Sequence, residues 1–245
     1  MTLRSSIGWC DVTWNPITGC SPISEACQHC YAKRMAYRLR GRFGYPKDEP
    51  FKVTFHPDKL KQPLKRKKPS KIFVCSMGDL FHEDVQDVWL DKFLVAITNC
   101  PQHTFMVLTK RPQIAYKKFV LHRISKHNYP NLWLGVTVEN QKRADERIPL
   151  LLQIPAKIRF ISIEPILGPI NIEQSIYKAC RLPESEGWGI DWLILGAETG
   201  PQKREPKPEW IKGIVKQCHI AKIPIFMKDN LKPYWKAKLI QQFPE

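Results

Sequence analysis

Six short stretches of the chain are almost continuously apolar, and segments of helical character lie between several of them. The stretches cover residues 71–77, 103–109, 131–138, 158–163, 191–197 and 223–228 and are rich in Ile, Val, Leu, Phe and Trp. Strands buried on both faces of a parallel sheet have this pattern, whereas strands with one face in water alternate apolar and polar residues. The pattern therefore predicts parallel strands.

The segments between these stretches complete the prediction. Residues 86–100 and 207–222 have helical character, and a first strand is expected at 8–14. Strands that alternate with helices are typical of a βα barrel or a doubly wound sheet. With roughly seven βα units, we predict an α/β fold, a partial or near-complete TIM-like βα barrel, that forms a single domain over residues 1–245.

Polar and ionisable side chains follow almost every predicted strand. They are Ser76, Asp79, Thr109, Lys110, Arg111, Thr137, Glu139, Asn140, Ser162, Glu164, Glu198, Thr199, Lys228 and Asp229. In a βα barrel, the C-terminal ends of the strands and the loops after them meet at one mouth, where active sites are built. Three of the stretches end in a carboxylate. We therefore expect one shared pocket.

Three cysteines stand close together in "TWNPITGCSPISEACQHCY", with the spacing C-x6-C-x2-C, in a loop predicted at 15–31. They are Cys20, Cys27 and Cys30. Thiolates favour zinc or iron–sulfur clusters over hard cations. Structural zinc normally has four protein ligands, for which Cys10 and His29 are the nearby candidates. Three cysteines on a [4Fe–4S] cluster instead leave one iron open to a small molecule. We favour this interpretation over zinc and over redox-active or incidental thiols.

The remaining cysteines are scattered in apolar stretches and are expected to be small core residues. They are Cys75, Cys100, Cys180 and Cys218. The chain shows no apolar run of eighteen residues and no signal-peptide pattern. We therefore predict a cytoplasmic protein that is not inserted in a membrane, in which clustered cysteines bind metal rather than form disulfides.

The formal net charge is +16, with basic residues concentrated in a loop at 57–71 and after Cys30. An excess of this size favours a polyanionic partner such as a nucleotide or nucleic acid, although a solvated lysine-rich surface gives the same count. In the helix expected after Cys30, the apolar face is predicted to contain Tyr31, Met35 and Leu39. The arginines on its other faces are either solvated or bind phosphate.

Three cysteines after the first strand of a βα barrel, followed by a helix, resemble the radical S-adenosylmethionine superfamily. The usual spacing there is C-x3-C-x2-C with an aromatic residue before the third cysteine; His29 occupies that position, and the first gap is three residues longer. The segments "TWNPITGC", "CYA", "SMGDLF", "LTKRP" and "GVTVEN" also resemble a phage- and prophage-associated family of three-cysteine proteins of unestablished activity. This second resemblance implies no reaction.

The superfamily resemblance implies roles for particular residues. Cys20, Cys27 and Cys30 would bind the cluster, with His29 beside the cofactor. Ser76, Gly78 and Asp79 would hold the methionine amino group of S-adenosylmethionine, with Asp79 paired to the ammonium. Thr137, Glu139 and Asn140 would meet the ribose, and Glu164 or the turn containing Glu198 would meet the adenine.

The resemblance also implies a reaction and a partner. An electron from the cluster, supplied by a flavodoxin- or ferredoxin-like donor, would release a 5′-deoxyadenosyl radical that abstracts hydrogen from a substrate. Lys110, Arg111, Lys228 and Asp229 are candidates for substrate binding, and Lys228 with Asp229 could equally form a structural pair. The alternative is a non-catalytic nucleic-acid-binding barrel with a structural zinc or iron–sulfur site.

Overall fold

The computed structural model describes residue 5 and residues 7–124, 128–177 and 189–245. The chain forms two compact units. The first unit consists of Met1–Ile23, Cys30–Trp133 and Pro155–Lys157, and the second consists of Ser24–His29, Leu134–Ile154 and Ile158–Glu245. The loop with the three cysteines therefore contributes residues to both units.

The first unit contains three parallel strands with helices in the connections. The strands are β1 (Val12–Trp14), β4 (Lys71–Val74) and β5 (Thr104–Thr109), and the helices are α1 (Tyr31–Arg38), α2 (Asp87–Thr98) and α3 (Pro112–Leu121). β4 pairs with β1 on one side and with β5 on the other. Two-residue strands, β2 (Ile17–Thr18) and β3 (Thr54–Phe55), form a separate antiparallel pair. The aromatic rings of Trp14 and Phe93 stack at 5.4 Å in the core of this unit.

The second unit repeats the alternation of strands and helices. Its strands are β7 (Ile158–Ile163), β8 (Trp192–Leu195) and β9 (Ile225–Met227), and its helices are α4 (Gln141–Leu152), α5 (Ile172–Tyr177) and α6 (Pro208–Ile220). β8 pairs in parallel with both neighbours and is buried at every position. The strand β6 (Leu132–Thr137) begins in the first unit and continues in the second.

Among the described residues, seven strands form one sheet in the order β1-β4-β5-β6-β7-β8-β9. Each apolar stretch predicted from the sequence contains one of the strands β4 to β9. Helix starts follow ordinary chemistry: Pro112 and Pro208 open α3 and α6, where the missing N–H costs nothing, and the side chain of Asn140 caps α4. The predicted alternation of parallel strands and helices is thus confirmed.

The helix α1 buries a different face from the predicted one. Ala32 and Ala36 are its buried residues, whereas Tyr31 and Met35 are exposed. The prediction of a buried face containing Tyr31, Met35 and Leu39 is therefore wrong, because the small alanines, and not the larger apolar side chains, occupy the buried side. The face left in water is aromatic and basic.

The basic loop at 57–71 is ordered by local turns and by one contact with the core. Pro57–Lys59 and Pro63–Lys65 each form one turn of 3-10 helix. Trp14 donates its indole N–H to the carbonyl oxygen of Lys59 at 2.8 Å. Several lysines of the loop are exposed, as predicted for a solvated segment. They are Lys61, Lys65, Lys67 and Lys68.

Two further predictions concern burial. Cys75, Cys100 and Cys218 are buried, as expected of core cysteines, and Cys180 lies outside the described residues. No helix in the described part of the chain is both long enough and apolar enough to cross a bilayer.

Candidate functional site

The segment that follows β4 packs against the loop that carries the first cysteine. Gly19 donates its N–H to the carbonyl oxygen of Met77 at 2.9 Å, and Gly19 and Gly78 pair in an isolated parallel bridge. A Cβ atom on Gly78 would lie 2.8 Å from the carbonyl oxygen of Gly19, closer than such atoms approach. Gly78 is predicted to hold the cofactor amine. In the structure, its missing side chain allows its backbone to contact the backbone of Gly19.

Ser76, from the same segment, is bonded to Asn15, which follows β1, and to Tyr31 of α1. The Oδ1 atom of Asn15 accepts hydrogen bonds from the backbone N–H of Met77 at 2.9 Å and from the hydroxyl of Ser76 at 3.2 Å. The hydroxyl of Tyr31 donates to the carbonyl oxygen of Ser76. Because Tyr31 follows Cys30 directly, this bond fixes the start of α1, where Cys30 is the N-cap residue.

A buried arginine holds the first cysteine in place. The side chain of Arg111 is 1% exposed, and its Nη1 atom lies 3.3 Å from the Sγ atom of Cys20. Its Nη2 atom donates to the carbonyl oxygen of Ser21 at 3.1 Å and to the hydroxyl of Ser21 at 2.8 Å. Its Nε atom donates to the carboxylate of Glu83 at 2.9 Å. The predicted substrate ligand Arg111 is therefore used inside the first unit.

Asp79 is engaged in the same network. Its Oδ1 atom accepts from the hydroxyl of Thr109 at 2.8 Å and from the backbone N–H of Phe81 at 3.0 Å. Its Oδ2 atom accepts from the backbone N–H of Lys110 at 3.2 Å and lies 3.5 Å from Nη1 of Arg111. Both oxygens thus position the ends of β4 and β5, and a ligand ammonium would have to share them.

In the second unit, the turn that carries Cys27 is held by another arginine. Glu25–Cys27 forms a single turn of 3-10 helix, closed by a 2.9 Å bond from the N–H of Cys27 to the carbonyl oxygen of Ser24. The Nη2 atom of Arg204 donates to the carbonyl oxygen of Glu25 at 3.0 Å, and Nη1 lies 3.4 Å from Oε1 of Gln28. One guanidinium therefore spans both ends of the turn.

Glu198 orients this arginine and also meets His29. Its Oε2 atom accepts from the backbone N–H of Arg204 at 2.8 Å and from Nε at 2.9 Å, and lies 3.0 Å from Nδ1 of His29. Burial by itself raises the pKa of Glu198, but the hydrogen bonds from Arg204 and His29 outweigh it and hold the pKa at about 2. The structure thus brings together two predicted cofactor residues, His29 and Glu198, around an ionised carboxylate.

Glu139 is fully buried in the second unit and is only partly satisfied. Its Oε2 atom accepts from Nη1 of Arg147 at 2.9 Å, and the same nitrogen donates to the carbonyl oxygen of Thr137 at 2.7 Å. Oε1 of Glu139 has no hydrogen-bond partner among the described residues. A buried carboxylate oxygen left in this state favours a ligand hydroxyl or amine as the missing donor. Asn140 does not share this position, since its side chain caps α4.

Lys228 and Asp229 do not pair with each other. Lys228 forms an ion pair with Glu164, which lies under the backbone of Gly196. Asp229 pairs with Lys232 at 2.9 Å in an exposed turn. The structural pair considered from the sequence is therefore corrected: the two neighbouring side chains leave the chain in different directions and bind different partners.

Several residues that shape the site were missed from the sequence. They are Asn15, Tyr31, Glu83, Arg147 and Arg204. Arg147 lies within α4, eight residues after the carboxylate it binds, and such a pairing could have been read as a helix reaching back to the strand end. Arg204 lies in "KREP", a segment without periodicity, and gave no signal.

Thiols such as those of the three cysteines are the donor type that binds iron–sulfur clusters. None of the seven described cysteines forms a disulfide, and Cys20, Cys27 and Cys30 are all partly exposed, unlike the four that are buried. Among the described residues, no group of three or more His, Cys, Asp and Glu side chains is arranged around a single metal-ion position. In a cluster each cysteine binds a different iron, so the thiolates need not converge on one point.

Solved structures that resemble this chain include forms of spore photoproduct lyase. A Cys-to-Ser mutant matches with a TM-score of 0.59 and 10% identity over 93% of this chain and 78% of that chain. A Tyr-to-Phe mutant matches with a TM-score of 0.60 and 9% identity over the same shares. A double mutant with bound AdoMet and dinucleoside spore photoproduct matches at 0.54 and 12% identity, over 91% and 65%.

At identities this low, the similarity shows the fold alone. This shared fold confirms the predicted α/β partial βα barrel. No curated protein matches the chain in sequence. The predicted phage association stays a prediction. The model of the family described as "Protein of unknown function (DUF5131)" matches residues 4–240, nearly the whole chain, and the chain belongs to this family.

Proposed function

We propose that this chain is a radical S-adenosylmethionine-type enzyme that acts on a nucleotide or nucleic-acid substrate. Cys20, Cys27 and Cys30 would bind a [4Fe–4S] cluster. The observation that carries the proposal is that these three cysteines, in a chain with the fold of a radical S-adenosylmethionine lyase, are partly exposed and form no disulfide, whereas the other four described cysteines are buried. When bound, the cluster supplies one electron to S-adenosylmethionine at an iron that no cysteine occupies.

The protein's own contribution is to fix the thiols before the cluster binds. Arg111 holds the backbone and the hydroxyl of Ser21, and with them Cys20. The hydroxyl of Tyr31 ties the residue after Cys30 to the end of β4. Arginine cations near thiols also favour the thiolate, the form that binds iron.

Glu139 is the best-supported ligand for the cofactor. Its unpartnered Oε1 atom is fully buried and acceptor-only while ionised. A ribose hydroxyl is the donor that the superfamily resemblance would place at this position. For the remaining predicted cofactor residues, namely His29, Ser76, Gly78, Asp79, Thr137, Asn140, Glu164 and Glu198, the bonds described above support positioning roles in the proposed site.

Charge and the likeness to the lyases support a nucleic-acid or nucleotide substrate. The chain carries a net charge of +16, and one of the similar structures contains a dinucleoside spore photoproduct. Lys110 and Lys228, both partly exposed beyond strand ends, are the cations that we propose for a substrate phosphate. An external reductant of the flavodoxin or ferredoxin type would be required.

Anaerobic reconstitution with iron and sulfide tests the proposal. We expect about four irons per chain, brown absorbance near about 400 nm, and 5′-deoxyadenosine from S-adenosylmethionine after addition of dithionite. C27S should lose the cluster and the cleavage. C10S is the matched control, because Cys10 is the fourth ligand that a zinc site would need, and this variant should keep both.

Zinc bound tightly without cleavage, and lost in C10S, would overturn the proposal in favour of the non-catalytic barrel with a structural zinc site. A cluster that forms without cleavage would overturn the enzymatic part. To test Glu139, S-adenosylmethionine binding to the reconstituted chain should weaken at least about tenfold in E139Q, since a buried amide cannot replace a charge-assisted acceptor.

A further inference from the structure

The residues from α1 to the following turn form a continuous basic segment. Between Glu25 and Asp48 the sequence contains six cations and no acidic residue. The cations are Lys33, Arg34, Arg38, Arg40, Arg42 and Lys47, and all are exposed. Within the described residues, no carboxylate forms an ion pair with Arg38, Arg40 or Lys47. The positive charge of this segment is therefore presented to solvent.

The same segment exposes aromatic side chains. Of the twelve most exposed large apolar or aromatic side chains in the described residues, four lie within residues 31–43: Tyr31, Met35, Tyr37 and Phe43. Phe43 is 73% exposed, the highest fraction of the twelve. Single exposed apolar side chains are ordinary on protein surfaces, whereas four within one short segment favour an interaction site.

A hydrogen-bonded turn, which we call the Phe43 turn (residues 39–45), holds Phe43 in this position. The N–H of Gly41 donates to the carbonyl oxygen of Tyr45 at 3.0 Å, and the N–H of Tyr45 donates to that of Arg42 at 2.9 Å. The ammonium of Lys59 lies 3.5 Å from the carbonyl oxygen of Phe43. The turn therefore fixes its backbone while the phenyl ring points away from the core.

Phe43 also adopts an unfavourable backbone conformation. Its φ of 52° lies in the left-handed region, which a bulky side chain rarely occupies and which costs about 1–3 kcal/mol. Glycine would adopt this conformation without strain. Because the ring gains little burial in return, the folded state would be better served by glycine. The presence of phenylalanine therefore indicates a role outside folding.

We propose that the Phe43 turn and the exposed face of α1 bind nucleic acid, with the Phe43 ring stacked on a base and the cations beside it neutralising phosphates. Base stacking on an exposed aromatic ring within a positively charged surface is how single strands are bound without sequence readout. The exposed aromatic side chains and the arginines lie in the same segment, as this mode requires. The inference deepens the proposed function, since it assigns a surface for its nucleic-acid substrate.

A membrane surface is the other polyanion that could bind this segment. The distribution of apolar and charged residues on α1 argues against a membrane. Helices that lie in a membrane have a broad continuous apolar face. On α1, the positions opposite the buried Ala32 and Ala36 are Arg34, Tyr37 and Arg38, so that charge and aromatic surface are interleaved. The eight-residue helix is also short for that purpose.

Fluorescence anisotropy with labelled DNA tests the surface. The probes are a single strand of about 20 nucleotides and the duplex of the same sequence, titrated with the 245-residue chain after anaerobic reconstitution. We expect F43A to weaken single-strand binding by between about fivefold and about 100-fold, and F43W to remain within about twofold of the wild type. A loss on the duplex alone would overturn the stacking of an unpaired base.

Two further variants separate binding from folding. F43G relieves the strained backbone, and so its melting temperature should equal or exceed that of the wild type while its DNA affinity falls as in F43A. Y177A removes another exposed aromatic side chain, 58% exposed at the end of α5, and should leave affinity unchanged. Equal affinity in F43G and wild type, or an equal loss in Y177A, would overturn the proposal.

The salt dependence of binding tests the cations. The triple variant K33Q/R38Q/R40Q should flatten the slope of log affinity against log salt by about 2, since each phosphate contact on single strands contributes about 0.7. The control K212Q/K216Q/K222Q removes three exposed lysines of the second unit and the same net charge. Equal flattening in both would show a nonspecific charge effect and overturn the assignment.

Two measurements separate this inference from its rivals. Tighter binding to anionic phosphatidylserine vesicles than to DNA, lost in F43A, would overturn nucleic acid in favour of a membrane. Cleavage of S-adenosylmethionine by the wild-type chain without DNA reports on the proposed reaction alone. Cleavage without DNA binding would therefore overturn the proposed nucleic-acid surface. DNA binding without cleavage would overturn the proposed reaction and leave the proposed surface supported.

Discussion

Two arginines, one in each unit, hold the cysteine segments in similar ways but in different surroundings. Arg111 donates to the carbonyl oxygen of Ser21 and contacts the sulfur of Cys20, and it is paired with carboxylates. Arg204 donates to the carbonyl oxygen of Glu25 in the turn of Cys27 and is paired with Glu198. The side chain of Arg111 is 1% exposed, whereas that of Arg204 is 33% exposed.

The shared design follows from the shape of these segments. Cys20 lies beside the isolated bridge of Gly19, and Glu25–Cys27 is a single turn of 3-10 helix, so neither segment belongs to an α-helix or to the seven-stranded sheet. A guanidinium supplies several donors in a rigid fork, and so one side chain can fix a carbonyl oxygen and a carboxylate together. The difference in burial between the two guanidinium groups predicts how much each arginine contributes, because solvent screens the charge of Arg204 more than that of Arg111.

The largest expected effect is that of R111M. Removing the buried cation leaves Asp79 without its charged partner and frees the carbonyl oxygen of Ser21. We expect a loss of about 3–5 kcal/mol in the free energy of unfolding, measured by urea denaturation. Iron content after reconstitution should fall below half of the wild-type value, since Cys20 is no longer positioned.

The conservative variant R111K sharpens this prediction. Lysine keeps the charge beside Asp79 but cannot reproduce the fork that reaches both Ser21 and Glu83. R111K should therefore recover much of the stability but little of the iron content. If R111M were as stable as the wild type, Arg111 would not hold the Cys20 loop in place as we infer.

The sheet could be predicted from the sequence, because burial on both faces leaves a direct record in it. The strand β7 was predicted at its observed bounds, and β5, β6 and β9 each lie inside the predicted stretch. The strands β2 and β3 were missed, because two residues are too short to show any period. The prediction of which face of α1 is buried was wrong, since apolar spacing alone does not show whether the large apolar side chains or the alanines face the core.

The site was predictable only as a set of positions. Residues at strand ends were found, because the chain must turn polar there. The direction of each side chain was not: Arg111 reaches Cys20, 91 positions away in sequence, and Glu198 reaches His29, 169 positions away. No local pattern encodes such pairings, since they depend on which loops the fold brings together.

The second prediction concerns R204Q, whose effect should be smaller. Glutamine keeps a donor near Glu25 but removes the charge beside Glu198. The lost guanidinium is 33% exposed, so solvent already screens part of its charge. We expect a loss of about 2 kcal/mol in urea denaturation. In the protein without metal, alkylation of Cys27, followed by mass spectrometry, should accelerate at least about threefold while that of Cys20 stays constant; the reverse is expected in R111K. Equal acceleration at both thiols would break the comparison.

The smallest expected effect is the pH dependence of the stabilisation that Glu198 gains from its bonds with Arg204 and His29. The pKa of Glu198 in the folded chain is about 2, held down against burial by the bonds from Arg204 and His29. An unfolded glutamate titrates near about 4.3, and so between these values the unfolded chain binds more protons than the folded one. The stabilisation by Glu198 is therefore present above about pH 4.3 and is lost as pH falls towards 2. This shift corresponds to about 3 kcal/mol in full, but glutamine keeps part of the hydrogen bonding, so the wild type should exceed E198Q in unfolding free energy by about 1 kcal/mol at pH 6. This difference should shrink by pH 3. A difference that stays constant over this range would show that E198Q acts through shape and not through charge.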